Sequence, residues 1–135
     1  HSAGGVPPAV VIAMLSAEAG ELNSMEEDKL KEIGDKYPWY FPFAIPAGTY
    51  PKQDKDVHTN ALSNILFTDA KLDDELIYTL TKATYEFHDD MVIGHRATEY
   101  TVEENAFKGM TIPLHPGSIK YFEEKGIKVP DELKP

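Results

Sequence analysis

The residues best able to do chemistry in this chain sit at His88-Asp89-Asp90, with His95 seven positions further on. Imidazole and carboxylate are competent ligands for a divalent metal, so His88, Asp89 and His95 together define one candidate, a metal-dependent hydrolase. On a helix that spacing returns both imidazoles to a similar face but two turns apart. No further His, Cys or Glu completes a recognised ligand set, and a solvated helix end carrying polar residues accounts for the same pattern. Ser63 and Ser118 lack the Gly-x-Ser-x-Gly context of an exposed nucleophile. The acid pairs Asp54/Asp56 and Asp73/Asp74 fall at a turn and at a helix start, where structure alone explains them. No phosphate loop or dinucleotide fingerprint is present, because Gly4-Gly5 is too short for either. The residues therefore read as a protein that is not an enzyme and carries neither cofactor nor metal.

Binding is the remaining class of activity. Gly4-Gly5 precedes Val6-Pro7-Pro8 and an apolar stretch. Glycines just before a helix leave backbone N–H groups free at the positive end of its dipole, which suits a carboxylate. An ordinary turn explains them as well. Tyr37, Trp39, Tyr40, Phe41, Phe43 and Tyr50 are suited to lining a cleft, although aromatics more often fill a core.

These residues need elements to hold them. Proline at the start, then Val10, Val11, Met14 and Leu15 at helical spacing, predict a short first helix that stops near Gly20. Ser24-Met25-Glu26-Glu27 has the form of a capping box and predicts a helix over residues 25–36, with Leu30 and Ile33 inward. Prolines and aromatics over residues 37–51 predict extended backbone. Residues 60–68 read as a mostly buried strand. Asp73-Asp74-Glu75 places negative charge at the start of a long helix. Most of Leu76, Ile77, Leu80, Ala83, Tyr85, Phe87 and Met91 fall on its inward stripe. A second capping box, Thr101-Val102-Glu103-Glu104, predicts a short helix ending at Gly109. Pro116 restarts a helix that Gly126 ends. A few helices around one or two strands are too little sheet for an independent α/β domain.

Composition narrows the partners. The chain has 135 residues, 23 acidic against 13 basic, and a net charge of −10. It shows no basic stripe of the kind that binds nucleic acid. The absence of cysteine excludes disulfides and thiolate chemistry. The longest apolar run, residues 9–15, is far short of the ~20 residues that span a bilayer.

Ile45-Pro46-Ala47-Gly48-Thr49-Tyr50-Pro51-Lys52-Gln53-Asp54-Lys55-Asp56-Val57 carries a resemblance to a known family. It is similar to the C-terminal portion of TAXI-type solute-binding proteins of tripartite ATP-independent periplasmic (TRAP) transporters. The family pattern there is close to Ile-Pro-Ala-Gly-Thr-Tyr-Pro-Gly-Gln-Asp, and this chain has Lys52 where glycine is common. Agreement extends through Asn64-Ile65-Leu66-Phe67-Thr68, the helix over residues 72–87, Glu104-Asn105-Ala106-Phe107-Lys108-Gly109 and Pro113-Leu114-His115-Pro116-Gly117. Ser2-Ala3-Gly4-Gly5-Val6-Pro7-Pro8 looks like the family's glycine turn and following helix.

The resemblance implies an α/β, helix-rich C-terminal portion of a two-lobed, type II periplasmic-binding-protein-like fold with few strands. Residues 1–50 then finish the second lobe and the hinge-crossing segment, and residues 51–135 form the C-terminal part of the first lobe. It implies a periplasmic receptor that captures a small organic solute, a glutamate-like amino acid or other carboxylate, and delivers it to the membrane permease subunits of a TRAP transporter. Ser2, Gly4, Gly5 and Tyr50 are the ligand-contacting positions this implies. Since the counterpart of the family's N-terminal half is not in this sequence, uncovered sheet edges and core faces lead to an expectation of self-association.

Overall fold

The computed structural model describes residues 9–135. The chain divides into two compact units, at residues 1–62 and 63–135. Each has its own small core.

In the first unit, helix α1 spans Ala9–Ser16 and helix α2 Glu27–Lys36; strands β1 and β2 span Phe41–Ile45 and Val57–Ala61. The strands pair antiparallel, with Phe41 opposite Ala61 and Ile45 opposite Val57. Burial along β1 alternates, so Phe41, Phe43 and Ile45 turn to one face, as the period of two requires. Ile45, Tyr50 and Val57 form the buried centre, and Val11, Ile12 and Leu15 of α1 pack on it together with Leu22 and Phe43. α2 lies against both strands and buries Leu30. Pro42 is tolerated because this two-stranded sheet leaves alternate residues of β1 without a ladder bond to donate.

Two sequence expectations for this unit need correcting. Ser24 does not cap α2: the N-cap is Glu26, with no side-chain cap bond. The Ser24 hydroxyl instead accepts the His58 N–H at 3.0 Å, and the Met25 N–H donates to the His58 carbonyl at 2.9 Å. Residues 24–25 thereby satisfy the outward-facing backbone of β2, and an edge that needs a partner outcompetes the box. The strand expected over residues 60–68 lies earlier and stops at Ala61. Its partner β1 begins at Phe41, so backbone beyond Ala61 meets no neighbour. Leu66 and Phe67 consequently stand 83% and 77% exposed.

In the second unit, helix α3 spans Asp74–Glu86, α4 His88–Gly94 and α5 Pro116–Glu124, with 3₁₀ turns at Arg96–Tyr100, Glu103–Asn105 and Asp131–Leu133. Asp73 caps α3 by accepting the N–H groups of Glu75 and Leu76 at 3.0 and 3.1 Å. The long helix expected to run on towards Met91 breaks at Phe87 (φ −102°, ψ 29°), which ends α3 and opens α4. α3 packs against α5. The core there is Tyr121, Phe122, Val129 and Leu133, ringed by Tyr78, Tyr85, Phe107 and Leu114 among others. The inward face of α3 is Ile77, Tyr78, Thr81 and Tyr85, whereas Leu76, Leu80 and Phe87 stand 47%, 47% and 59% exposed.

The capping box proposed at Thr101 yields only the 3₁₀ turn, with Val102 as an N-cap that makes no side-chain bond. Glu103 is diverted: its carboxylate accepts the Tyr121 hydroxyl at 2.5 Å. At α5 the expectation holds, with Pro116 in the first turn and His115 as N-cap, its Nδ1 accepting the Gly117 N–H at 3.2 Å. Gly117 brings the two helices together. A Cβ there would lie 2.2 Å from the Asp74 carbonyl oxygen and 2.7 Å from the Tyr78 nitrogen, so only glycine allows this approach.

Candidate functional site

The segment between β1 and β2 is built around one side chain. Gln53 Oε1 accepts the Tyr50 N–H at 3.1 Å, and its amide nitrogen donates towards the carbonyls of Ile45, Pro46 and Lys55 at 3.1, 3.0 and 2.9 Å. Gly48, at φ +77°, returns the chain so that its N–H reaches the Gln53 carbonyl at 2.8 Å. Asp56 accepts the Ala47 N–H at 2.8 Å, and the Thr49 hydroxyl donates to the Pro46 carbonyl at 2.6 Å. Each of these bonds satisfies a backbone group that the turn removes from the ladder. The loop is therefore a fixed platform rather than a loose connection, and Tyr50 is pinned within it, 5% exposed.

Lys52 sits in this loop at φ +63°, in the left-handed region. Its ammonium reaches the carboxylate of Glu18, itself left-handed at φ +56° just past α1. Both side chains are largely exposed, so the pair contributes little against the backbone strain at its two ends.

A second group of polar and aromatic residues lies where α2 meets β1. Tyr37-Pro38-Trp39-Tyr40 form a turn closed by the Tyr40 N–H on the Tyr37 carbonyl at 2.9 Å. Tyr37 and Trp39 rings are 5.5 Å apart, and Tyr40 lies 6.4 and 6.5 Å from them. The aromatics expected to serve as cleft wall thus separate. Phe43 and Tyr50 belong to the core, while Tyr37 and Trp39 remain 37% and 44% exposed.

The His-Asp cluster is used locally. His88 Nε2 contacts the Thr98 carbonyl at 3.1 Å and Nδ1 lies 3.4 Å from the Asp89 carboxylate. His95 ends α4, and its Nδ1 accepts the Ala97 N–H at 3.2 Å, so that lone pair caps the next turn. Among the described residues, no three His, Cys, Asp or Glu side chains converge as metal ligands. Nothing in this arrangement favours the hydrolase.

In the second unit, burial and the Glu103 hydrogen bond hold the Tyr121 hydroxyl well above the usual tyrosine range. Burial raises Tyr85 as well, with the Glu103 charge adding to it. Tyr85 stacks on Tyr121 at 5.5 Å with rings nearly parallel. Phenols kept neutral and packed in this way serve structure. His115 is almost wholly buried, with Nε2 lacking a hydrogen-bond partner and Nδ1 3.7 Å from Asp74. Two shallow surface grooves follow helix faces, one along Pro116, Ile119, Lys120, Glu123 and Glu124, the other along Asp28, Lys31, Glu32, Asp35 and Lys36. Neither has the depth or convergent polar groups of a solute pocket. Ser2, Gly4 and Gly5 lie outside the described residues.

Residues 1–126 match the model of the NMT1-like family. The chain belongs to the NMT1-like family. That family is part of the periplasmic solute-binding superfamily, whose members are binding proteins rather than enzymes and are typically extracytoplasmic. An NMT1-like chain thus has a general role in binding a small molecule, and its helix-rich α/β architecture with a two-stranded sheet is compatible with a portion of that fold. Among the described residues no helix is long and apolar enough to cross a membrane. Sequence reasoning assigned Gln53 no role, although it stood inside the recognised motif. A glutamine in a proline- and glycine-rich turn, able to accept and donate at once, was the available signal.

Proposed function

We propose that this NMT1-like chain is the C-terminal portion of a TAXI-type periplasmic receptor for a small organic carboxylate, a glutamate-like amino acid or a related acid. The receptor delivers that solute to the permease subunits of a TRAP transporter. The observation that carries the reading is the backbone of Lys52. The TAXI pattern commonly has glycine at this position, and Lys52 adopts the left-handed conformation that glycine favours, at φ +63°. The loop geometry therefore fits the motif by which the resemblance was recognised, even where the residue departs from it.

In this proposal residues 1–50 finish the second lobe and enter the hinge. Residues 51–135 return to complete the first lobe, with the proline- and aromatic-rich segment before them as the crossing. Ser2, Gly4 and Gly5 receive the solute carboxylate at a helix start. Tyr50 is the fourth proposed contact, held in the core cluster on which Val11, Ile12 and Leu15 of α1 pack. Self-association covers apolar surface such as Leu66 and Phe67.

Thermal shift against a panel of amino acids, dicarboxylates, sugars and amines tests the reading. Saturable stabilisation by carboxylates, lost in Gly4→Val/Gly5→Val, is expected. Stabilisation by sugars or amines alone, or by no compound, overturns it.

A further inference from the structure

The His115 side chain is only 7% exposed and sits where the first turns of α3 and α5 meet. The backbone around it is held. Gly117 packs so closely on Asp74 and Tyr78 that no Cβ fits between them, and the Leu114 N–H is tied to the Leu133 carbonyl at 2.8 Å. Side chains are therefore the parts free to respond to a change of charge. Two groups compete for one atom, Nδ1 of His115. It accepts the Gly117 N–H at 3.2 Å and lies 3.7 Å from the Asp74 carboxylate. Accepting requires a bare lone pair, so the neutral ring carries its proton on Nε2, which is buried without a hydrogen-bond partner.

Protonation reverses the preference of Nδ1. A proton there confronts the Gly117 N–H with a second donor and presents a cation to Asp74. The Asp74 side chain is 68% exposed, so it is free to close the remaining distance of about 1 Å to a charge-assisted bond. The other charged groups on the packed elements are engaged elsewhere or exposed. On α3, Asp73 caps its own helix, Glu75 pairs with Lys120 of α5 at 2.9 Å, and the Tyr78 hydroxyl donates to Glu124 at 2.7 Å. Glu103 accepts the Tyr121 hydroxyl. On the 3₁₀ turn that holds Leu114, Asp131 pairs with Lys134 at 3.1 Å, while Glu123 and Glu132 are exposed. Among the described residues, Asp74 alone lies within ion-pairing distance of the ring. We propose that His115 is a two-position proton switch at the α3–α5 joint: neutral, its Nδ1 caps α5 at Gly117; protonated, the same nitrogen turns to Asp74 and ties the start of α5 to the start of α3. All its parts lie in the second unit, so the switch goes beyond the solute-receptor reading and does not depend on it.

Imidazole nitrogen resonances of the intact chain, followed from pH 8 to pH 4.5, test the switch. The chain has five histidines, and His115→Asn identifies the ring in question. At pH 8 His115 is expected as the single tautomer with its proton on Nε2. As the ring takes its second proton, the Gly117 amide resonance should move with the same midpoint. Exchange of that amide, corrected for its intrinsic pH dependence, should quicken roughly tenfold as one hydrogen bond is lost. The Asp74 carboxyl carbon should show a step at that midpoint as well. Asparagine is a good N-cap that does not titrate, so His115→Asn should keep Gly117 protected at every pH. An Nδ1–H tautomer at pH 8 overturns the proposal, as does a ring that stays neutral throughout. A Gly117 amide or an Asp74 carboxyl carbon that ignores protonation of the ring also overturns it.

Discussion

Replacing Gly117 by alanine tests the packing of the second unit directly. The added methyl would lie 2.2 Å from the Asp74 carbonyl oxygen, 2.7 Å from the Tyr78 nitrogen and 3.1 Å from the Asp74 carbonyl carbon. All three are backbone atoms, so no side chain can rotate out of the way. Relief requires α5 to retreat from α3 by about 1 Å to reach ordinary contact distances. That movement loosens the stack of Tyr85 on Tyr121 and lengthens the 2.8 Å hydroxyl contact between Thr81 and Ser118. Overpacking of this kind costs about 1–3 kcal/mol, occasionally more, and the backbone contact puts Gly117→Ala at the upper end, about 3 kcal/mol. For a unit of this size that is a fall in Tm of about 12–24 °C. Thermal unfolding by circular dichroism, with near-ultraviolet signal for the tyrosines, measures it. Gly94→Ala is the control: its Cβ meets nothing within 4 Å, so a change of about 1 kcal/mol or less is expected. A Gly117→Ala protein within about 0.5 kcal/mol of the parent would refute the claim that glycine is required for this helix contact.

Tyr121 and Tyr85 retain their phenolic protons in the folded state above the pH at which an unfolded tyrosine loses them, near 10. Their contribution is therefore complete below about pH 10 and is lost as pH rises beyond it. Urea midpoints measured from pH 8 to 11 should fall at the alkaline end, less steeply in Tyr121→Phe; identical slopes would contradict this. At neutral pH the same variant loses a hydrogen bond to a carboxylate and should be less stable by about 1.5–3 kcal/mol. Lys52→Gly removes a left-handed lysine and an exposed ion pair, with a net gain of about 0.5 kcal/mol in chemical denaturation. A loss of that size would show that the Glu18 contact outweighs the strain.

Local chemistry was legible in the sequence wherever a short stretch settles its own energetics. Acidic residues start α3, Pro116 opens α5, Gly126 follows α5 at φ +73°, and residues 41–45 are extended, because each rests on neighbours a few positions away. The stretch over residues 45–57 also carried the family resemblance, and the match over residues 1–126 places the chain in a solute-binding superfamily. Where the sequence misled, a distant group had a stronger claim on a local one. Ser24 serves the His58 amide rather than a helix cap, and Glu103 serves Tyr121 rather than its own helix start. Residues 62–68 have strand-like composition, but a strand requires a neighbouring backbone, and β1 does not extend to meet them. Which stripe of α3 turns inward was likewise decided by tertiary structure, because Gly117 draws α5 onto the side bearing Tyr78 and Tyr85 and leaves Leu76 and Leu80 half-exposed. Sequence determined several turns, the acidic and proline starts of α3 and α5, and the solute-binding superfamily. Only the packed chain decided how long each strand lasts, which helix face is buried and which aromatics remain at the surface, since these depend on partners far away in sequence.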